Sequence, residues 1–255
     1  MECNEDGFTA EDLTSICSVG RSSKERKRGF IGEKGIGFKS VFKTMSRVEI
    51  LSGNFSFYFQ HKQGDPAIYM ITPIWKDHEG DSVDHLTRIT LLIRDDGGPD
   101  AINHRREDIL KQFKAMHENI LLFLNNLTQI DVTYFDNLDE KKSMTTFTIE
   151  RQSEFRIAVK TWTDEGGDGE EKTTYYHTTK HNATNLAPSQ KRKYTDQDLK
   201  SHIYSNSEVV LAFPLDNNSV PILANQWIFA FLPIREMGFK VFVEQIHKIL
   251  YVFNK

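Results

Sequence analysis

Alternation of apolar and polar residues with a period of two is the feature of this sequence that most restricts its fold. After Met45 the apolar period falls from that of a helix to that of a strand, in which successive side chains point to opposite faces. Such segments occur on both sides of one long helical segment, so we predict an α+β protein. The predicted strands are residues 47–53, 55–61, 67–75 and 88–94, followed by 130–135, 145–151, 155–162, 173–179, 208–215 and 227–234.

Three segments have the patterns of helices. Residues 9–17 begin at Thr9, an N-cap residue whose partner in a capping box would be Asp12. Residues 38–45 place three apolar side chains on one helical face, and residues 106–127 carry a longer apolar stripe. The intervening sequence DDGGPD has the composition of a turn and a domain boundary. We therefore expect one domain over residues 1–96 and a second α+β region over residues 97–255.

Charge and composition argue against several classes of protein. The net charge is −4, so the chain as a whole does not attract nucleic acid, although short basic runs at 24–28 and 191–193 keep a nucleic-acid module as an alternative. The longest apolar run, residues 120–124, is too short for a membrane span, and the first residues lack the apolar core of a signal peptide. No set of cysteines and histidines has zinc-ligand spacing. An intracellular protein, cytoplasmic or nuclear, without membrane partners is expected.

A glycine-rich segment at residues 20–42 has the composition of a phosphate-binding loop. Three glycines precede the apolar segment 38–45, and glycine allows a backbone to turn through positive φ and to approach a ligand closely. The amide groups of the following first helical turn would be suited to an anion. A Walker A loop needs lysine after its second glycine, where this chain has Phe38, and a dinucleotide fingerprint has its glycines in the opposite order. The segment therefore predicts a phosphate site of another type.

The sequence NEDGFTAEDLTSICSVGRSSK, followed by GFIGEKGIGFKSVF, resembles the nucleotide-site core of the GHKL family, which has the Bergerat fold. It is most similar to the sacsin and no-vein branch, nearly continuously over residues 7–45, with weaker similarity through LTRITLLIR, ENILLFLNNLTQIDV and WIFAFLPIREMGF. The resemblance implies an α/β sandwich that binds ATP, here a partial Bergerat domain. The following region would resemble the segment after the ATPase domain in GHKL chaperones.

The same resemblance assigns residues to the two ends of the nucleotide. On the adenine side, Gly7 matches the second glycine of the adenine motif, and Thr87 matches a threonine on a late strand, although Leu86 replaces the usual glycine before it. On the phosphate side, the lid glycines and the polar residues near them would be Gly32, Gly35, Gly37, Lys34, Ser22 and Lys24.

Two departures from the family pattern weaken the expected site. Cys3 stands where the family has the adenine-reading aspartate, and a neutral thiol is a weaker acceptor than a carboxylate. Glu5 stands at the first glycine position. The family's magnesium-binding Asn and water-positioning Glu lie on a helix upstream of the motif, so the chain is expected to be truncated, with no catalytic residue or metal ligand of its own. The C-terminal segment IHKILYVFNK also departs from the family, so both ends resemble those of a fragment.

Two functions remain open from the sequence. The first is an ATP-binding, chaperone-like module of a sacsin- or no-vein-like protein, with ATP as its ligand and Mg²⁺ expected in the family. The second is a non-catalytic pseudo-ATPase that serves as a protein-interaction domain, with unknown protein partners. Whether the chain is an enzyme is undecided at this stage.

Overall fold

The computed structural model divides into two compact units, Met1–Ala115 and Met116–Lys255. Both combine an antiparallel-rich sheet with short helices, which confirms the predicted α+β class. Along the sequence, the boundary between the two units follows Ala115, 19 residues beyond the expected boundary at residue 96. The helix that follows residue 96 belongs to the first unit by its contacts. The structure describes residues 1–18, 38–62, 64–66, 72–77, 87–124, 126–136, 138–187, 200, 205–230, 232–236 and 238–245.

The first unit contains a five-stranded antiparallel sheet in the order β1-β5-β2-β3-β4. Three strand predictions are confirmed to within two residues at each end, whereas only Ile74–Trp75 of the predicted strand 67–75 forms a described strand, and residues 67–71 lie outside the described residues. Strand β1 was not predicted. The strands are β1 (Glu2–Cys3), β2 (Met45–Ser52), β3 (Phe55–Gln60), β4 (Ile74–Trp75) and β5 (Thr87–Ile93).

Two short helices cover one face of this sheet. Helix α1 spans Ala10–Ile16, and the predicted capping box is confirmed, since Thr9 Oγ1 accepts from the Asp12 amide while the Asp12 carboxylate accepts from the Thr9 amide. The predicted helix at 38–45 is a 3-10 helix, Phe38–Lys43, and it ends early because β2 already begins at Met45. Because the chain is already in strand β2 from Met45 onward, a second α-helical turn cannot form.

The core of the first unit lies between these helices and the sheet. Phe38 and Val41 pack against it, as their helical spacing predicted, and the Phe38 and Phe59 rings meet edge to face at 5.8 Å between centroids. Burying large apolar side chains contributes about 1.5–3 kcal/mol each, so this cluster is the main source of the unit's stability. Its buried members are Phe42, Val48, Ile50, Phe57 and Phe59.

Helix α2 spans Gly98–Lys114 and begins eight residues before the predicted position. The sequence DDGGPD was interpreted as a turn, but Pro99 occupies the first turn of the helix, where its missing N–H costs nothing. Gly97, with φ of +93°, makes the reversal just before it. The predicted continuation to residue 127 is also wrong, because the helix ends at Lys114 and a 3-10 helix follows, so the apolar stripe belongs to two elements.

The buried side chain of Arg94 forms hydrogen bonds at the end of the first sheet, next to α2. The Arg94 guanidinium donates to the Phe42 carbonyl at 2.6 Å, contacts His61 Nδ1 at 3.1 Å and pairs with Asp96 at 3.3 Å. Arg105 of α2 donates to the carbonyls of Arg94 and Asp96 at 2.6 and 2.8 Å. These bonds join the 3-10 helix, the ends of β3 and β5, and α2.

The second unit contains an eight-stranded sheet in the order β12-β11-β13-β10-β9-β8-β7-β6. All neighbouring strands are antiparallel except β11 and β13. The predicted strand 227–234 divides into β11 and β12, which pair with each other. Pro233, which has no N–H to donate to a strand ladder, is accommodated because β12 lies at the edge of the described sheet. The strands are β6 (Gln129–Phe135), β7 (Lys141–Arg151), β8 (Arg156–Asp164), β9 (Glu170–Ala183), β10 (Ser207–Leu215), β11 (Trp227–Ala230), β12 (Leu232–Glu236) and β13 (Phe242–Gln245).

A second 3-10 helix, Glu118–Phe123, supplies one side of this unit's core. The apolar stripe over residues 106–127 predicts burial of Leu122, Leu124 and Leu127. Leu122 is buried, but Leu124 and Leu127 are only half-buried. Leu121 is fully buried in their place, because a 3-10 turn of three residues directs different side chains inward than the predicted α-helix would. The remaining core side chains are Phe123, Phe147, Ile149, Ile157, Val159, Tyr176, Ala212, Phe229 and Phe242.

The acidic segment between β8 and β9 forms a hairpin turn, in which Asp164 Oδ1 accepts from the Gly166 amide at 2.9 Å. Hydrogen bonds from Lys141 and this amide lower the pKa of the Asp164 carboxyl below its ordinary value. In the described part of the chain, no helix is long and apolar enough to cross a membrane.

Candidate functional site

Three side chains lie in one row across the first sheet, on the face covered by the helices. Cys3 of β1 is paired with Thr87 of β5, and Thr87 is paired with Ser52 of β2. Directly opposed residues of antiparallel strands point to the same face, and Ser52 continues the inward alternation of Val48 and Ile50. Polar groups therefore occupy the position at which the apolar stripe of the sheet ends.

A compact hydrogen-bonded cluster is formed around Ser52. Its Oγ lies 2.6 Å from Thr87 Oγ1 and accepts from the Phe8 amide at 2.8 Å. The Ser52 side chain is fully buried, and only 3% of Thr87 is exposed. The hydrogen bonds of this cluster therefore connect the turn between β1 and α1 to the ends of β2 and β5.

Gly7 lies directly over this cluster. Its φ is +84°, and a Cβ atom at this position would be 3.3 Å from Ser52 Oγ. Glycine is therefore required here both for its backbone conformation and for the close approach of the turn to Ser52. The structure brings together the two predicted adenine-side residues, Gly7 and Thr87, through a serine that the sequence analysis did not single out.

We expect Gly7→Ala to lower the free energy of unfolding of the first unit by more than the usual cost of a left-handed alanine, which is about 1–2 kcal/mol. The excess arises because the new methyl group displaces Ser52 or the Phe8 amide. Gly64→Ala is the matched control, since Gly64 has φ of +88° and its Cβ would meet nothing within 4 Å among the described atoms. Urea unfolding of both variants measures the difference. Equal losses of stability would show that the Ser52 contact is unimportant.

Lys39, the second residue of the first 3-10 helix, contacts the end of α1. Its Nζ donates to the carbonyls of Ile16 and Ser18, at 3.0 and 2.9 Å, at the end of α1. Burial lowers the pKa of Lys39 and raises that of the neighbouring Cys17 thiol. The bond between Lys39 and Ser18 joins described residues on the two sides of the segment 19–37.

The predicted phosphate-side residues lie outside the described residues, in the segment 19–37. Their predicted roles therefore stay predictions. Within the described ranges, no group of three or more His, Cys, Asp or Glu side chains is placed so that it could hold a metal ion. The residues concerned are Ser22, Lys24, Gly32, Lys34, Gly35 and Gly37.

Comparison with known proteins shows which proteins the part of the chain around this cluster is similar to. Residues 1–91, which include Cys3, Gly7, Ser52 and Thr87, match the family model of the sacsin domain. Over 260 aligned positions, which cover 94% of this chain, the sequence is 30% identical to Protein NO VEIN of Arabidopsis thaliana. The chain spans only 8% of the length of that relative. No solved structure matches the chain. These findings confirm the predicted sacsin-like and no-vein-like relationship.

Proposed function

We propose that the first unit is an ATP-binding module that holds the adenine at the row formed by Cys3, Thr87 and Ser52. The observation that carries the proposal is the hydrogen-bonded cluster of Ser52, Thr87 and the Phe8 amide, which is buried and polar at the end of an otherwise apolar sheet face. Polar residues at core positions generally serve a function, because they cost stability. The triphosphate would be bound by the segment 20–37, whose glycines resemble those of GHKL nucleotide sites.

Binding is tested by calorimetric titration of the purified chain with ATP, in the presence and absence of Mg²⁺. We expect one saturable site that ADP also occupies. Thr87→Val, which replaces a hydroxyl by a methyl group of similar size, should weaken ATP binding. Absence of any heat or chemical-shift change with millimolar ATP would contradict the proposal.

Replacement of Cys3 by aspartate is expected to strengthen ATP binding. The carboxylate would accept from the adenine amino group, and a hydrogen bond to a charged group is worth about 1.5–3 kcal/mol, or roughly one to two orders of magnitude in Kd. Cys3→Asn is the control, since it has nearly the same shape without the charge and should give a smaller gain. The same titration measures both variants. If the Cys3→Asp variant binds ATP with unchanged affinity, the adenine does not lie next to this position.

The second candidate function is that of a pseudo-ATPase interaction domain. Cys3 favours it, because the half-buried thiol replaces the strongest adenine contact expected from the family. Release of inorganic phosphate from Mg-ATP distinguishes an ATPase from this alternative. Binding without turnover by the purified chain would support the pseudo-ATPase.

A further inference from the structure

His61 and Arg94 meet at the end of the first sheet in a contact that fixes where the histidine carries its proton. Arg94 Nη2 lies 3.1 Å from His61 Nδ1 and 2.6 Å from the Phe42 carbonyl oxygen. A guanidinium group stays charged in proteins and can only donate hydrogen bonds. Nδ1 of His61 is therefore the acceptor, and the neutral ring carries its proton on Nε2.

Protonation of His61 is incompatible with this contact. The Nδ1 lone pair would become an N–H group that faces a second donor at 3.1 Å. The new positive charge would also lie against the buried guanidinium of Arg94. Like charges at this distance repel strongly where water is excluded, so the two side chains would have to separate.

The charges around His61 do not favour a further proton. The Asp96 carboxylate is shared, since it lies 3.3 Å from Arg94 Nη1 and 2.6 Å from Arg105 Nη2. Two guanidinium groups and one carboxylate leave one positive charge in excess, and a protonated His61 would add another. The other charged side chains on the described segments that adjoin His61 are Lys43 of the 3-10 helix, Arg47 and Glu49 of β2, Lys62 and Asp65 after β3, and Asp95 after β5. In sum, these groups are positive as well.

We propose that His61 and Arg94 form a proton-sensitive contact, which stabilises the first unit at neutral pH and releases the 3-10 helix Phe38–Lys43 in mild acid. Arg94 joins this helix to the end of the sheet through the Phe42 carbonyl, and the Phe42 ring lies 6.1 Å from the His61 ring. Repulsion from a protonated His61 would draw the guanidinium away from that carbonyl. The inference does not depend on the proposed nucleotide site.

The direction of the pH effect follows from the contact. The unfolded chain can protonate His61 freely, whereas the folded unit must break the Arg94 contact to do so. Stability from this contact is therefore fully present above the range in which histidine ordinarily titrates, and it is lost as the pH falls through that range.

Hydrogen exchange of the β2 and β3 amides in the whole chain measures the effect at pH 7.5 and 5.5, after correction for the intrinsic pH dependence of exchange. Complete exclusion of the proton would raise the opening constant about tenfold between these values, because unfolded histidine titrates near 6.5. We expect a rise of at least about threefold. In His61→Asn the amide oxygen can accept from Arg94 in place of Nδ1 but cannot be protonated. This variant should keep its protection at pH 7.5 and lose the acid-induced rise.

Two further variants test whether the effect belongs to this contact. His104→Asn is the control, because His104 of α2 is exposed and lies 3.4 Å from Asp108, and it should leave the acid-induced rise unchanged. In an Arg94→Met background, His61→Asn should alter the pH dependence no further, since the effects of coupled residues are not additive.

Nitrogen-15 NMR of the wild-type imidazole rings reports the tautomer directly, and we expect His61 to carry its proton on Nε2 at pH 7.5. A proton on Nδ1 would overturn the inference, and this measurement holds even if His61→Asn does not fold. A rise of the same size in wild type and in His61→Asn would also overturn it, as would wild-type protection that is equal at the two pH values.

Discussion

The substitution Leu121→Asp is expected to unfold the second unit. Leu121 is fully buried and packs in the cluster that joins the second 3-10 helix to the eight-stranded sheet. Truncating a buried leucine to alanine already costs about 2–5 kcal/mol, and burying a carboxylate there adds a desolvation cost. Since small domains are stable by only about 5–15 kcal/mol, the sum removes most or all of the stability.

The measurement is near-ultraviolet circular dichroism, to which Trp162 and Trp227 of this unit contribute. Loss of their signal, with cooperative unfolding no longer seen on heating, is the expected result. The matched control is Leu138→Asp, because Leu138 is 78% exposed and its replacement should change the unfolding free energy by no more than about 0.5 kcal/mol. An unchanged unfolding midpoint for Leu121→Asp would contradict the packing of this helix against the sheet.

Replacement of Arg94 by methionine is expected to destabilise the first unit by about 2–4 kcal/mol. The change keeps an unbranched side chain of similar length but leaves the Phe42 carbonyl and His61 without their buried donor. The loss of unfolding free energy is smaller than it would be if the Asp96 carboxylate were left without any partner, because Arg105 still pairs with Asp96 at 2.6 Å. Hydrogen exchange of the amides in β2 and β3 measures the free energy of opening.

Arg88→Met is the control for this experiment, since Arg88 lies on β5, the strand that Arg94 directly follows. Its side chain is 48% exposed and pairs with Glu2 at 2.6 Å. Exposed ion pairs contribute about 0–1 kcal/mol, so the control should have little effect. Equal protection of β2 and β3 in both variants would show that the Arg94 bonds do not stabilise this end of the sheet.

Local features of the fold were predictable because they depend on a few neighbouring residues. The capping box at Thr9 needs only residues three apart, and most of the longer strands of both sheets follow from their alternation. The start of α2 was misplaced because Pro99 follows two glycines, a combination that suits both a turn and the first turn of a helix. Local sequence did not decide between them.

The features that were not predicted depend on pairing between residues far apart in the sequence. Strand β1 has only two residues, and its pairing of Glu2 with Arg88 spans 86 positions, which no periodicity indicates. Gly7 and Thr87 were predicted from family resemblance, but Ser52 was missed although it carried a signal: a polar residue follows Val48 and Ile50 in the inward alternation. Its partners lie 44 and 35 residues away, so its role becomes visible only in three dimensions.

The same pairing gives the order in which the cluster around Ser52 can assemble. Strands β2 and β3 are joined by a two-residue turn and can form early, whereas β1 reaches β5 only after a long loop has closed, which costs entropy before any contact compensates. The cluster at Ser52 therefore exists only in molecules that have completed this closure. A ligand bound there would stabilise the closed state by RT ln(1 + [L]/Kd), so the melting temperature of the first unit would itself report occupancy.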